Sequence, residues 1–392
     1  MKHVLAIILL AACGGTPPLP PVRTADDAAA LDALRAANFD AAIDLSAKQL
    51  AIEPRDAEAA AIRAIAGYVK ASSSLYTSLD LGKHPWFLFE PLLDPKHAPP
   101  ITAFLGQLDA IDQDLAIAGA DPRFSLELCL ACWKFDWNHD GKVDERDTQL
   151  FELDEDQRGA IPEGDPRRHP TFRFDLGDTS WARAMIAFQR AFGELVLSYR
   201  WQDLSEPKTA SPLVVHLIAP ERVKHARELV LAGLEHSNQA RLRYLAETDD
   251  DREWVPNPSQ RSYAMPLPVD MKLYDTWASV VSDVRNLVAG RTGISMQDLA
   301  KLDSAQLVAI TPNAYVDLGK MLSDPTDISI ANDGKIESVA AVNNFLRGVL
   351  GHGFNEHMER SPLVDRLARM AGELAQGTDT IEHKLHYLLW IN

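Results

Sequence analysis

Apolar residues recur at three- and four-residue intervals along most of this chain, and that period predicts helices. Between Asp26 and Ala71 the stretch is alanine-rich and is broken once, at Pro54. The same spacing marks Ile101–Ala118, Arg123–Phe135, Glu145–Asp156, Trp181–Tyr199, Glu221–Glu247, Asp270–Ala289, Val339–Leu350, Leu363–Gln376 and Thr380–Ile391. Pro220 suits the first helical position before Glu221, where its missing N–H is not needed. Strict alternation is scarce. The best strand candidate, PLVVHLIAP from Pro212 to Pro220, is short and fits a buried helical turn equally well. The pattern therefore predicts an all-α fold, a helical array or bundle.

Three stretches interrupt it. Residues Leu81 to Pro100 are cut into short pieces by prolines, and their Trp86, Phe87 and Phe89 are expected to seal a core. Residues 154–178 mix charge with Gly and Pro and read as an ordered loop or a boundary. Residues 248–269 exceed a normal helix connection, and long loops are often functional or mobile. Their Asp249, Asp250, Asp251 run is expected to be a solvated helix end.

The piece NFDAAIDLSAKQLAIEPRDAEAAA, from Asn38, resembles the second helix and turn of a tetratricopeptide repeat through Phe39, Ala42, Ile43, Leu50, Ile52, Pro54 and Ala57. Ser46 and Gln49 depart from that pattern, standing where a large aromatic and a small alanine are usual. The resemblance implies stacked helical hairpins with a peptide-binding groove. An amphipathic αα-hairpin accounts for the same residues, and repeats normally need about three copies to bury their faces.

Charge narrows the partners. With 56 acidic against 39 basic side chains the net charge is -17, which repels phosphate backbones and makes nucleic acid an unfavourable partner. The first residues, MKHVLAIILLAACGG, place one lysine before an apolar run from Val4 to Leu10 that is too short to span a bilayer. Leu10, Ala11, Ala12 and Cys13 resemble the lipobox of bacterial lipoproteins. That resemblance implies cleavage, acylation of Cys13 and anchoring in the cell envelope; Gly14, where an aspartate would favour the inner membrane, points to the outer one. Each buried methylene of an acyl chain adds roughly 0.8 kcal/mol, so several chains hold a protein without a spanning helix. GGTPPLPPV, from Gly14 to Val22, would be the tether.

Chemistry concentrates in DWNHDGKVDERD, residues 136–147. Calcium takes six to eight oxygens, and a twelve-residue loop supplies most of them when alternate side chains point inward. Asp136, Asn138 and Asp140 hold the first, third and fifth positions, and Gly141 sits where the loop must turn sharply. Lys142 would give its carbonyl oxygen, Val143 would dock the loop, Asp144 would act through water and Asp147 would close it. The stretch resembles an EF-hand loop, which implies a calcium site between two helices. Asp147 stands where a longer glutamate is usual, as in dockerin-type loops, and implies a weaker site. The helix expected through Phe135 favours the EF-hand form, and dockerins pair two such loops closely. Ser329–Ala340, SIANDGKIESVA, keeps Asp333, Gly334, Ile336 and Glu337, but Ser329, Ala331 and Ala340 are poor ligands, so it reads as a turn.

Cys129 and Cys132 lie among Leu126, Leu128, Leu130 and Trp133 and read as small apolar helix residues rather than a disulfide. His352, Glu356 and His357 have the wrong spacing for a helical zinc protease and suit a solvated helix start after Gly353. His383 and His386 could face one way, but a third ligand is not visible. The expected order is a signal peptide (1–12), an acylated cysteine with tether (13–25), a repeat-like region (26–120), an EF-hand-like calcium unit (121–158) and a helical C-terminal region (179–392). The sequence thus suggests an envelope lipoprotein that binds or scaffolds another envelope protein, with Ca2+ as a structural clamp. A metal-dependent hydrolase built on the C-terminal histidines is the alternative, and it predicts co-purifying zinc or another transition metal.

Overall fold

A computed structural model describes residues 25–79, 94–136, 141–144, 147, 151–156, 158–204, 213–250, 252–264, 269–298, 314–330 and 352–374. Cys13, its tether, Trp86, Phe87, Phe89, the segment from Ala331 to Leu350, His383 and His386 lie outside these residues.

The alanine-rich region forms α1 (Ala25–Arg35), α2 (Phe39–Ile52) and α3 (Ala57–Ser78). Asn38 caps α2 by accepting the Ala41 N–H, and Asp56 caps α3 by accepting the Ala59 N–H at 2.9 Å, with Pro54 in the turn between them. Leu31, Leu34, Phe39, Ala42, Ala61, Ile62 and Ala66 pack one core, which Phe124, Leu126, Leu128 and Trp133 complete from further along the chain. The two residues that depart from the repeat pattern are both buried. Gln49 Nε2 donates to Asp56 at 3.1 Å, whereas the Ser46 hydroxyl has no hydrogen-bond partner among the described residues. An unsatisfied buried hydroxyl is costly, so Ser46→Ala is expected to stabilise the fold by about 1 kcal/mol, read as a raised urea midpoint.

Helix α4 (Ala98–Ala118) packs on α3 and is tied to it by Arg63, whose Nε donates to Asp114 at 2.8 Å. The chain then departs from the predicted helix over Arg123–Phe135. Leu126 and Leu128 are buried on either side of a half-exposed Glu127, and this alternation builds strand β1 (Leu126–Leu128). A 3-10 turn over Leu130–Cys132 follows, and Cys129 and Cys132 are disulfide-bonded across it rather than packed as helical residues. Within the predicted helix Glu145–Asp156, residues 151–156 are turn and strand instead. They lead into the hairpin of β2 (Glu155–Asp156) and β3 (Gly159–Ala160), and β4 (Phe172–Phe174) then pairs antiparallel with β1. The described part of residues 154–175 is therefore ordered, with β2, β3 and β4 within it.

Helix α5 (Leu176–Ser198) starts five residues before its predicted boundary because Asp175 and Asp178 form a reciprocal capping box. Strand β5 (Leu213–Val215) resolves the ambiguous PLVVHLIAP stretch, and α6 (Pro220–Ala246) and α7 (Met271–Val288) fall close to their predicted positions. Strands β6 (Thr292–Ser295) and β7 (Tyr315–Val316), helix α8 (Leu318–Ser323), β8 (Ile328–Ile330), β9 (Phe354–Asn355), β10 (Glu359–Arg360) and helix α9 (Leu363–Leu374) complete the described chain. The sheet order is β10-β6-β7-β9, and β5 pairs with β8, which contains Ser329. The protein is mostly helical, and these short strands correct the all-α expectation.

Helices α5 and α6 pack against each other along their length. At Gly177 an added Cβ would stand 2.4 Å from the ring of Tyr244, which is 1% exposed and has no room to swing. Alanine gains about 1 kcal/mol of helix propensity over glycine, while overpacking a core costs about 1–3 kcal/mol. The clash wins at this distance. Gly177→Ala is expected to lower the urea midpoint, with a net loss of up to about 2 kcal/mol.

Candidate metal centres

Two places gather oxygen ligands. The first is the loop of residues 136–147. Gly141 adopts φ +85°, the left-handed conformation that the loop pattern required of it, and its N–H donates to Asp136 Oδ2 at 2.8 Å. At the other end the Asp144 N–H donates to Asp147 Oδ2 at 2.9 Å, and the Asp147 N–H donates to the Asp144 carbonyl at 3.1 Å. Asp147 is buried and Lys142 exposed. Val143 does not dock: it is 50% exposed. Asn138 and Asp140 lie outside the described residues. The loop is reached through the disulfide-closed turn and an extended segment, not through a helix.

The second place was not foreseen from the sequence. Asp175 caps the start of α5, Glu247 caps the end of α6, and Glu253 follows in the connecting loop; ligand oxygens of all three lie within 4.8 Å of one another. Asp178 stands beside them, accepting the Asp175 N–H and the Tyr244 O–H, each at 2.8 Å. Glu253 and Asp178 are buried. Glu247 Oε1 is also buried, and Gln260 Nε2 reaches the other carboxyl oxygen at 3.5 Å. The nearby Arg173 is committed to Asp249 at 2.5 Å and Ser125 at 2.9 Å.

Burial dominates the electrostatics there. It pushes the Glu247 carboxyl up to about 10, with Asp175 and Asp178 adding repulsion and a hydrogen bond to Asp175 acting in the same sense. Burial likewise raises Asp175, and raises Asp178 well above the usual carboxylate range, Asp175 contributing to the latter. Such a group of carboxyls holds protons, or it holds a cation that takes their place. Hard divalent ions that prefer oxygen match the donor set of Asp175, Glu247 and Glu253.

No single segment carries this arrangement, because Asp175 and Glu247 stand 72 positions apart in the chain. The acidic signal that was visible lies just past the end of α6, where Asp249 and Asp250 are exposed, and Asp251 lies outside the described residues. Asp249 pairs with Arg173, and Asp250 accepts the N–H groups of Arg261 and Ser262. The loop it belongs to is well packed, with Trp254, Val255, Asn257 and Gln260 buried.

The histidine readings fare differently. His352 Nε2 bonds the Asp324 carbonyl at 2.8 Å, and the His357 N–H donates to Asn355 Oδ1 at 3.0 Å. The expected helix start after Gly353 is instead strand β9 followed by a bend through Glu356 and His357, so no helix face presents these residues. An open cleft of about 670 Å³ is lined by Glu152, Glu163, Asp165, Arg168 and His169, and His169 Nε2 lies 2.6 Å from Glu152 Oε1 within it.

No family model, curated protein or solved structure matches the chain.

Proposed function

We propose that this protein is a calcium-binding lipoprotein of the bacterial cell envelope that acts by binding or scaffolding another envelope protein, with calcium as a structural clamp. The observation that carries the reading is the turn at Gly141, whose positive φ aims its N–H at the carboxylate of Asp136. A twelve-residue calcium loop needs that turn so that its side chains and carbonyls converge. Asp136, Asn138, Asp140, Lys142, Asp144 and Asp147 would supply the oxygens, and the aspartate at the closing position suits an affinity of about 0.1–1 mM, filled constitutively outside the cytosol.

A clamp has something to join here. Trp133 and Phe135, just before the loop, pack into the N-terminal core with Phe39, while Leu153, just after it, is buried in a second core with Phe172, Tyr244 and Trp254. An ion held between Asp136 and Asp147 would fix the path from one core to the other. The disulfide supports an exported setting, since such bonds persist in oxidising compartments. Anchoring would come from acylated Cys13, outer membrane preferred; among the described residues no helix is long and apolar enough to cross a membrane. The helical N-terminal region would present the partner-binding surface.

Calorimetric titration tests the ligand directly. A calcium site is expected in the wild-type chain that the Asp136→Ala, Asp140→Ala double variant lacks. Identical heats in the two proteins would refute the assignment, and zinc retained through purification would favour a hydrolase.

A further inference from the structure

We infer that the Cys129–Cys132 disulfide takes the place of the helix that would normally present the first ligand of such a loop, so that calcium affinity depends on the redox state of this bond. The inference rests on the calcium reading above.

The segment leading into the loop has little backbone order of its own. After β1 it makes one short 3-10 turn, held by the Cys132 N–H to the Cys129 carbonyl and the Trp133 N–H to the Leu130 carbonyl, both at 3.2 Å. No ladder of i to i+4 bonds runs toward Asp136, as it would in a helix. The covalent bridge closes this turn, bringing the two Cα atoms to 5.3 Å. On the far side of the bridge Trp133 and Phe135 pack into the N-terminal core. Trp133 and Phe135 each meet Phe39 edge-on, with ring centroids 5.4 and 5.1 Å apart. Asp136 is the next residue. The bridge and the aromatic pair therefore hold the backbone from which the first carboxylate reaches the Gly141 N–H.

The bond is also reachable. Cys132 is exposed, whereas Cys129 is half-buried with its sulfur 3.6 Å from the His169 carbonyl. A thiolate can thus attack the Cys132 sulfur and expel Cys129. With a dithiol as reductant the exchange balances: the protein S–S bond breaks, a mixed disulfide forms, and the second thiol closes the reductant into its own disulfide. Two protons pass to the protein thiolates. Freed of the bridge, the turn would no longer fix the direction in which the chain leaves β1, and Asp136 would be presented over a wider range of positions.

The test uses the full chain, oxidised and after reduction by dithiothreitol, with thiol counting to show two additional thiols. Calcium binding is followed by calorimetry and by fluorescence of Trp133 and Trp137 well below the melting temperature. The expected result is one site in the oxidised protein and a Kd at least about tenfold higher after reduction, with the Cys129→Ser, Cys132→Ser variant behaving like the reduced protein. Far-UV circular dichroism that is unchanged between the two states separates lost positioning from lost folding. A Kd within twofold in both states overturns the inference while leaving the calcium site intact. Absence of calcium binding in the oxidised protein overturns the calcium reading, and the inference with it. Should the double variant fail to fold, the reduced wild-type chain still gives the decisive comparison.

Discussion

In calcium-free buffer the folded chain is expected to lose stability steadily as the pH rises from about 5 to about 9, the reverse of the usual behaviour of a protein held by ionised carboxylates. The cause is the group around Glu247. Its carboxyl is raised to about 10, and those of Asp175 and Asp178 are raised as well, by burial and by one another. The unfolded chain releases the Glu247 proton near pH 4, while the folded chain holds it up to about 10, and Asp175 and Asp178 are shifted in the same direction. Stability is therefore fully present below the ordinary carboxyl range and is lost as the pH climbs toward the folded value. Each proton held in this way removes roughly 1.4 kcal/mol per pH unit.

Opposing groups act mostly elsewhere on the scale. Asp121, Asp165 and Asp203 are lowered by partners such as Arg123, Arg167, His216 and Arg200, so their contribution is lost only as the pH falls into the acid range. His236 is lowered by burial and adds stability as the pH rises up to about 6.5, a partial offset in the lower part of the window. Urea midpoints at pH 5, 7 and 9 with a chelator present measure the slope. Glu247→Gln, whose amide does not titrate, is expected to flatten it. A wild-type midpoint that is level or rises over this range would sink the account of the acidic group.

The sequence made some of this legible because the relevant forces were local. Helices over Ala98–Ala118, Pro220–Ala246 and Met271–Val288 follow from an apolar stripe with proline or aspartate at the start, signals contained within one turn. The turn at Gly141 was legible for the same reason, since one residue type meets its conformational demand. LELCLACW was not. Leu126, Leu130 and Trp133 fit a helical face, yet Leu126 and Leu128 fit an alternating strand equally, and pairing with Phe172–Phe174 decided the outcome from over forty residues away.

Long range also hid the acidic group. Asp178 reads in sequence as part of a helix start, and so it is. Its encounter with Glu247 and Glu253 depends on α5 and α6 lying side by side, a closeness that Gly177 permits against Tyr244. Val143 went astray more simply: the loop pattern assigns it an apolar surface to meet, and this fold leaves it half exposed. Ser46 and Gln49, which weaken the repeat pattern, lie buried between α2 and its neighbours, one as a small side chain and one as a donor to the cap of α3.

If calcium joins the two cores through residues 136–147, its largest effect is on the stability of the whole chain rather than on local structure. A ligand that binds only the folded state stabilises it by about 2.7 kcal/mol at 100 times its Kd, a condition that about 10 mM calcium meets for a site of about 0.1 mM. The gain should be absent when Asp136 and Asp140 are both alanine, and the calcium-free variant should melt near the calcium-free wild type. The most direct test is therefore the melting temperature of the intact oxidised chain in 10 mM calcium against the same buffer with chelator. A midpoint several degrees higher with calcium, lost in the double variant, is the predicted result. An unchanged midpoint, or an equal rise in the variant, would contradict the clamp.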